Sequence, residues 1–122
     1  MRQYNKYHAK KVKNVYGEFD SKKEFGRYLI LKHREELGFI EGLQRQVPYV
    51  LIDEQREPDT LGPRGGVHKG KVLEKACTYV ADFVYVENGR TVVEDAKGFR
   101  TPVYKIKKKL MLWRYGIVIQ EV

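Results

Sequence analysis

A β-hairpin is the feature of this sequence that most constrains its fold. Residues 79–85 and 91–97 form two runs rich in β-branched and aromatic side chains, and the pair Asn88-Gly89 lies between them. Asn and Gly tolerate the positive φ angles of a type I′ turn, so this pattern predicts two antiparallel strands joined by a tight turn. Any fold of the chain must therefore place these two strands side by side.

Three residues of the predicted hairpin form a candidate catalytic site. Asp95 and Lys97 are two positions apart and share one face of their strand, while Asp82 lies on the neighbouring strand. Paired carboxylates suit Mg²⁺, which prefers oxygen ligands, and a nearby ammonium can offset charge on a phosphate. The set indicates phosphodiester hydrolysis. The structural alternative is a solvated strand face on which Lys97 only pairs with Asp95.

The charge of the chain points to a polyanionic partner. It carries 24 Lys plus Arg against 16 Asp plus Glu, which gives a formal net charge of +8 over 122 residues. An excess of this density favours nucleic acid as the partner, with a merely soluble basic protein as the alternative.

The length of the chain is typical of one domain with a real core. No apolar run approaches the ~20 residues of a membrane span, and the first residues lack the apolar stretch of a signal peptide. We therefore expect a cytoplasmic protein with no membrane partner. Cys77 is the only cysteine, which excludes an intrachain disulfide and a cysteine-based zinc cluster.

Two segments lack hydrophobic periodicity and are rich in basic residues. Residues 1–13 are predicted to form an N-terminal arm that becomes ordered on nucleic acid, with Lys10, Lys11 and Lys13 among its contacts. The domain then spans residues 14–122. Within it, residues 53–70 gather Pro and Gly and carry Arg64 and Lys69, which predicts a long loop. We interpret this loop as a basic flap near the substrate, with simple disorder as the alternative.

The remaining pattern predicts two helices. The first begins at Asp20-Ser21, has the capping-box spacing from Ser21 to Glu24 and ends at Gly38. The second begins at Thr101-Pro102 and ends at Gly116. Its predicted buried face follows three- and four-residue spacing and consists of Val103, Ile106, Leu110 and Trp113.

Strands are predicted at residues 43–52, 72–86, 90–97 and 117–122. Pro48 marks the first as an edge strand or the site of a bulge. The last run is apolar enough for an interior strand beside the third. The order is therefore α-β-β-β-α-β.

This order and three short runs resemble the PD-(D/E)XK nuclease superfamily, and more closely a family of small phage-encoded proteins assigned to it. The runs are residues 19–24, 79–85 and 93–101, and the resemblance covers about residues 17–122. It implies an α/β (α+β) fold with a restriction-endonuclease-like core, in which helices flank a mixed sheet. The sequence departs from the superfamily motif at Ala81, where proline is the motif's first letter.

The resemblance also implies the roles of individual residues. Asp82 and Asp95 would be the metal-binding carboxylates and Lys97 the catalytic lysine. Glu24 matches a helical glutamate that reaches the metal, although its position in the capping box explains it without catalysis. The Ala96 carbonyl would complete the ligand set.

The implied activity is that of a phage-type DNA endonuclease using Mg²⁺, for which Mn²⁺ would substitute. Its substrate would be DNA, including branched or Holliday-junction DNA, and a homodimer would cut two strands. Thr101 and the first amides of the second helix would receive a phosphate, with Lys105 and Lys109 reinforcing that contact. The alternative is a nucleic-acid-binding protein that keeps the fold without cleavage.

Overall fold

The computed structural model describes residues 10–122, and a four-stranded mixed sheet lies at the centre of that part. The helices are α1 (Lys22–Glu36) and α2 (Pro102–Tyr115). The strands in chain order are β1 (Val12–Asn14), β2 (Gly17–Phe19), β3 (Glu41–Ile52), β4 (Gln55–Arg56), β5 (Thr60–Leu61), β6 (Val67–His68), β7 (Val72–Glu74), β8 (Cys77–Glu87), β9 (Arg90–Asp95) and β10 (Gln120–Glu121).

The central sheet has the strand order β10-β9-β8-β3. Strand β10 runs parallel to β9, whereas the other neighbours are antiparallel. The elements that build this core follow the chain as α1-β3-β8-β9-α2-β10, so the predicted order α-β-β-β-α-β and the mixed α+β class are confirmed.

The predicted hairpin is strands β8 and β9. Asn88 and Gly89 have φ angles of 52° and 75°, the positive values that the type I′ turn needs. The register pairs Phe83 with Glu94, so the next positions outward, Asp82 and Asp95, are cross-strand neighbours. The hairpin thus brings the two predicted carboxylates to one place in the sheet.

Two buried clusters hold the helices on the sheet. One unites Tyr104 and Met111 of α2 with Tyr79 and Val93 of the sheet. The other includes Leu31 of α1 among the sheet residues. Burial of these apolar side chains stabilises the layers by about 25 cal/mol per Å² removed from water.

Both helices begin where the sequence predicts, but α2 buries a different face. Ser21 caps α1, and Thr101 caps α2, which ends at Gly116 with φ 67°. The predicted buried residues Val103, Ile106 and Trp113 are instead 61%, 59% and 78% exposed, and Leu110 is only half-buried.

The face of α2 that packs on the sheet is rotated from the predicted one, although Leu110 of the predicted set also packs against the core. Tyr104 and Met111 pack on the sheet. Beside them Lys107 crosses the packed face, and its ammonium donates to the Thr78 carbonyl at 2.8 Å. A lysine can do this because its long apolar stem is buried while its charge reaches a polar partner.

The loop predicted at residues 53–70 contains three two-residue strands, which build a two-stranded ribbon together with β7. Strands β4 and β7 pair, and β5 and β6 pair inside them, so the chain continues outward from β3 and returns into β8. This segment shows no hydrophobic periodicity because the ribbon is exposed on both faces. Its backbone N–H and C=O groups find hydrogen-bond partners across the ribbon without an apolar pattern of side chains. The predicted strand 72–86 is correspondingly divided into β7 and β8.

The ends of the sheet differ from the prediction in detail. Strand β3, which contains Pro48, is an edge strand as expected. Strand β10 pairs with β9 as expected but lies at the opposite edge rather than in the interior. Of the predicted arm, residues 1–9 lie outside the described residues, and Val12–Asn14 pairs with β2. Within residues 10–122, neither helix combines the length and apolar character that crossing a membrane requires.

Candidate active site

A cavity of about 440 Å³ opens where α1, the β8–β9 hairpin and the start of α2 meet. Its lining brings together several predicted site residues, namely Glu24, Asp82, Ala96, Lys97 and Thr101. The other lining residues, which were not predicted as site residues, are Asp20, Ser21, Gly98 and Phe99. Three segments that are far apart in the chain therefore form one acidic and basic cavity.

Three carboxylates at this cavity could hold a metal ion. Asp20, Glu24 and Asp82 each offer an oxygen, and these oxygens lie within 4.8 Å of one another. Glu24 and Asp82 are buried, whereas Asp20 is exposed at the mouth. Oxygen donors at this spacing match the preference of hard divalent cations.

Glu24 serves both the helix cap and the acidic group. Its backbone N–H donates to the Ser21 hydroxyl at 3.1 Å, and its Oε2 accepts from the Asp20 N–H at 3.2 Å. Its Oε1 accepts from the Gln46 amide at 2.9 Å, beside Asp82. One oxygen thus fixes the helix start while the other is turned toward the site.

The protein raises the pKa values of two of these carboxyls. Burial raises the pKa of Glu24 above its ordinary value of 4.5, and the negative charges of Asp82 and Asp20 raise it further. Burial also raises the pKa of Asp82 above 3.8; the Ala96 N–H opposes this shift, and Asp95 adds to it. Clustered charges that repel one another in this way are stabilised by a bound cation.

Replacement of Glu24 by Gln should reveal this repulsion as a pH-dependent gain in melting temperature. A raised pKa contributes stability that is complete below pH 4.5 and is lost as pH rises through the raised value. The metal-free variant should therefore melt like the wild type near pH 4 and above it at pH 8, in differential scanning calorimetry. Mg²⁺ should reverse the difference at pH 8, since it stabilises only the protein that binds it. A difference independent of pH would contradict this reading of Glu24.

Asp95 lies beside the acidic group and holds Lys97. Its Oδ2 accepts from the Tyr79 hydroxyl at 2.7 Å and lies 3.4 Å from Lys97 Nζ. Its Oδ1 accepts from the Lys97 backbone N–H at 3.0 Å. Asp95 is only 1% exposed, so these contacts leave it anchored in the core while Lys97 faces the cavity. The direct contact of Asp95 with a metal stays a prediction.

Glu94 faces the opposite side of β9, as the two-residue period predicts. Its two oxygens accept from Arg27 Nε and Nη2 of α1, both at 2.7 Å, and the Tyr85 hydroxyl donates to it as well. Glu94 is 1% exposed, so this is a buried ion pair. It joins β9 to α1 one turn beyond Glu24.

Sequence reasoning missed Asp20 and Gln46. Asp20 precedes the helix cap by one position, so its place beside Glu24 could have been inferred from the predicted helix start. Gln46 gave no signal in the sequence. It lies between the paired positions Arg45↔Phe83 and Val47↔Ala81, where its φ of 53° departs from strand geometry.

Of the predicted nucleic-acid contacts, Thr101 alone lines the cavity. Lys105 and Lys109 line a separate groove of about 350 Å³ with apolar residues of α2 and the segment after it. Arg64 and Lys69 are exposed on the ribbon, and Lys10, Lys11 and Lys13 are exposed near β1. Their contact with nucleic acid stays a prediction.

Comparison with known proteins gives one family. No curated protein and no solved structure matches the chain. The model of the family described as Protein of unknown function (DUF1064) matches residues 4–121, nearly the whole chain, and the chain therefore belongs to that family.

Proposed function

We propose that this protein is a metal-dependent DNA endonuclease of the PD-(D/E)XK type, as its phage-type sequence resemblance implies. The observation that supports it most is the convergence of Asp82, Glu24 and Lys97 on one cavity, with Asp95 holding the lysine. A binding protein that does not cleave has no use for buried carboxylates beside phosphates that repel them.

The donor set fits Mg²⁺, with Mn²⁺ as its substitute. All donors of the acidic group are carboxylate oxygens. Glu24 and Asp82 are buried, and burial together with neighbouring carboxylates raises the pKa of each. Asp82 and Glu24 would hold the ion with Asp20 at the mouth, and the predicted set adds Asp95 and the Ala96 carbonyl. The ion would polarise the scissile phosphate and lower the pKa of a bound water.

The chain's own residues would orient the reacting groups. Asp95 forms a 3.4 Å ion pair with Lys97, and the Tyr79 hydroxyl holds Asp95 in place by donating to it at 2.7 Å. The Lys97 ammonium would then donate to a phosphate oxygen or to the attacking water, where it offsets developing negative charge. The start of α2 at Thr101 borders the cavity, and helix N-termini favour phosphate. Water that attacks the phosphorus in line with the 3′-oxygen would displace that oxygen, which leaves a 3′-hydroxyl end and a 5′-phosphate end.

A panel of labelled DNAs tests this function and its substrate. Duplex, single-stranded, flap and four-way-junction DNA would be incubated with the protein and Mg²⁺ and resolved on a denaturing gel. Preferential cleavage of the junction would indicate a resolvase-like enzyme, and equal cleavage of all duplex forms a general endonuclease. Binding to the panel without cleavage in Mg²⁺ or Mn²⁺ would favour the alternative, a nucleic-acid-binding protein.

We also propose that the protein acts as a homodimer. The outer face of α2 exposes Val103, Ile106 and Trp113 in one stripe, and exposed apolar patches of this kind mark interfaces. Light scattering at micromolar concentration should give twice the monomer mass of 14.4 kDa. Trp113→Glu should reduce it to the monomer mass, whereas Phe39→Glu, a substitution at an exposed site elsewhere, should not. A monomer with and without DNA would contradict the proposal.

A further inference from the structure

The ribbon formed by residues 53–76 is a hydrogen-bonded element that the proposed cleavage does not require. Its two ladders, β4 with β7 and β5 with β6, are fixed by contacts near Gly70. Arg56 Nη1 donates to the Gly70 carbonyl at 3.0 Å, and the Gly70 N–H donates to Asp59 at 2.9 Å. A Cβ at Gly70 would lie 1.7 Å from the Glu57 carbonyl oxygen, so the strands cross here too closely for any other residue.

The ribbon tip, residues 60–69, differs in charge from the base. The base, residues 53–59 and 70–76, carries five acidic and three basic residues, among them the Arg56–Glu54 pair and Asp53, which contacts Arg114 of α2. The tip contains Arg64 and Lys69 and no acidic residue. Arg64 makes no hydrogen bond or ion pair within residues 10–122, whereas Lys69, which is 76% exposed, forms an ion pair with Asp59 of the base at 3.6 Å. A cationic tip is complementary to phosphate, and the acidic base directs a polyanion toward the tip.

The architecture of the ribbon suits a DNA groove, because the major groove admits a two-stranded β-ribbon whereas the minor groove is about half as wide. Arg64 lies eleven positions beyond Asp53, so the strands reach up to about 36 Å outward at ~3.3 Å per residue. Asp82 lies a further five positions, or about 17 Å, along β8 from Cys77. The tip is therefore up to about 53 Å from the active site, which is about one and a half helical turns of DNA. A long duplex at the active site could meet the tip at that distance, whereas a 12-base-pair duplex of about 41 Å could not.

We propose that the ribbon tip enters the major groove of duplex DNA and holds it through Arg64 and Lys69. This rests on the proposed function for its partner, because it assumes that the substrate contains duplex DNA. The ribbon adds a contact distant from the chemistry. It would make the enzyme favour substrates with a long duplex arm over short ones.

Binding measured in EDTA, where no cleavage occurs, separates the ribbon from the active site. The double variant Arg64→Ala/Lys69→Ala should lower the salt slope on a 40-base-pair duplex by about 2, close to 0.9 for each lost phosphate contact. On a 12-base-pair duplex the same variant should bind like the wild type. The control Lys75→Ala/Arg90→Ala removes two exposed cations from outside the tip and should leave the preference for the longer duplex intact.

The groove is tested with a 40-base-pair duplex whose cytosines carry glucosylated hydroxymethyl groups, which fill the major groove. The wild type should bind this duplex as weakly as the double variant binds the unmodified one. Equal loss of affinity on long and short duplexes, or wild-type affinity on the glucosylated duplex, would overturn the proposal. If the wild type binds through the tip but cleaves no DNA with Mg²⁺, the groove contact stands and the nuclease proposal fails.

Discussion

Asp82→Asn should abolish Mg²⁺-dependent cleavage and at the same time stabilise the metal-free protein. Loss of one carboxylate from the acidic group should lower the cleavage rate by about a thousandfold or more, since the charge it offers to the ion is replaced by a neutral amide. The amide can still accept from the Ala96 N–H, which bonds Asp82 at 2.8 Å. Because burial and Asp95 disfavour the Asp82 charge, the variant should melt at least about 2 °C higher at pH 8.

These two effects have opposite signs, and that is what distinguishes a functional carboxylate from a structural one. Single-turnover cleavage and calorimetry on the same preparations measure both. DNA affinity in EDTA should remain within about twofold of the wild type, because phosphate contacts come from the surrounding cations. An active Asp82→Asn variant would contradict the catalytic role of Asp82. A variant that is inactive and melts lower would mean that Asp82 serves the fold.

Arg27→Ala should destabilise the protein by about 3–5 kcal/mol, the largest stability effect we expect from a single ion pair in this chain. The substitution leaves Glu94, whose side chain is 2% exposed, without its cation deep in the sheet. Arg34→Ala is the matched control, because its partner Glu87 is about one third exposed and its loss should cost at most about 1 kcal/mol. Urea unfolding of both variants measures the difference.

The double variant Arg27→Met/Glu94→Met tests whether the cost comes from the unpaired charge. Replacing both partners with apolar residues removes the buried charge together with its cation, so part of the lost stability should return. The rest stays lost because the Tyr85 hydroxyl no longer has Glu94 as its acceptor. A double variant no more stable than Arg27→Ala would show that packing around Arg27, and not the ion pair, sustains the contact between α1 and β9.

The local patterns in the sequence predicted the elements that carry the site. Asn88-Gly89 fixed the hairpin, Ser21 and Thr101 fixed the helix starts, and the two-residue period correctly placed Asp95 and Glu94 on opposite faces. These features depend on neighbours in the chain, which is why the sequence reveals them.

What the sequence did not reveal depends on contacts between distant segments. The face of α2 that packs on the sheet places Lys107 and Lys108 between Tyr104 and Met111, so the spacing of apolar residues did not mark it. The ribbon forms by backbone pairing that leaves no apolar pattern. Gln46 reaches the site only because β3 is packed beside Asp82, and a glutamine in a strand does not mark such a place in advance.

The most direct test of the account is single-turnover cleavage of an end-labelled DNA by the wild type, by Asp82→Asn and by Lys97→Met, each with Mg²⁺ and with EDTA. We predict that the wild type with Mg²⁺ alone cuts the DNA and leaves 5′-phosphate ends, while both variants and every EDTA sample leave it intact. Cleavage by the wild type in EDTA, or equal cleavage by all three proteins, would contradict the proposed site.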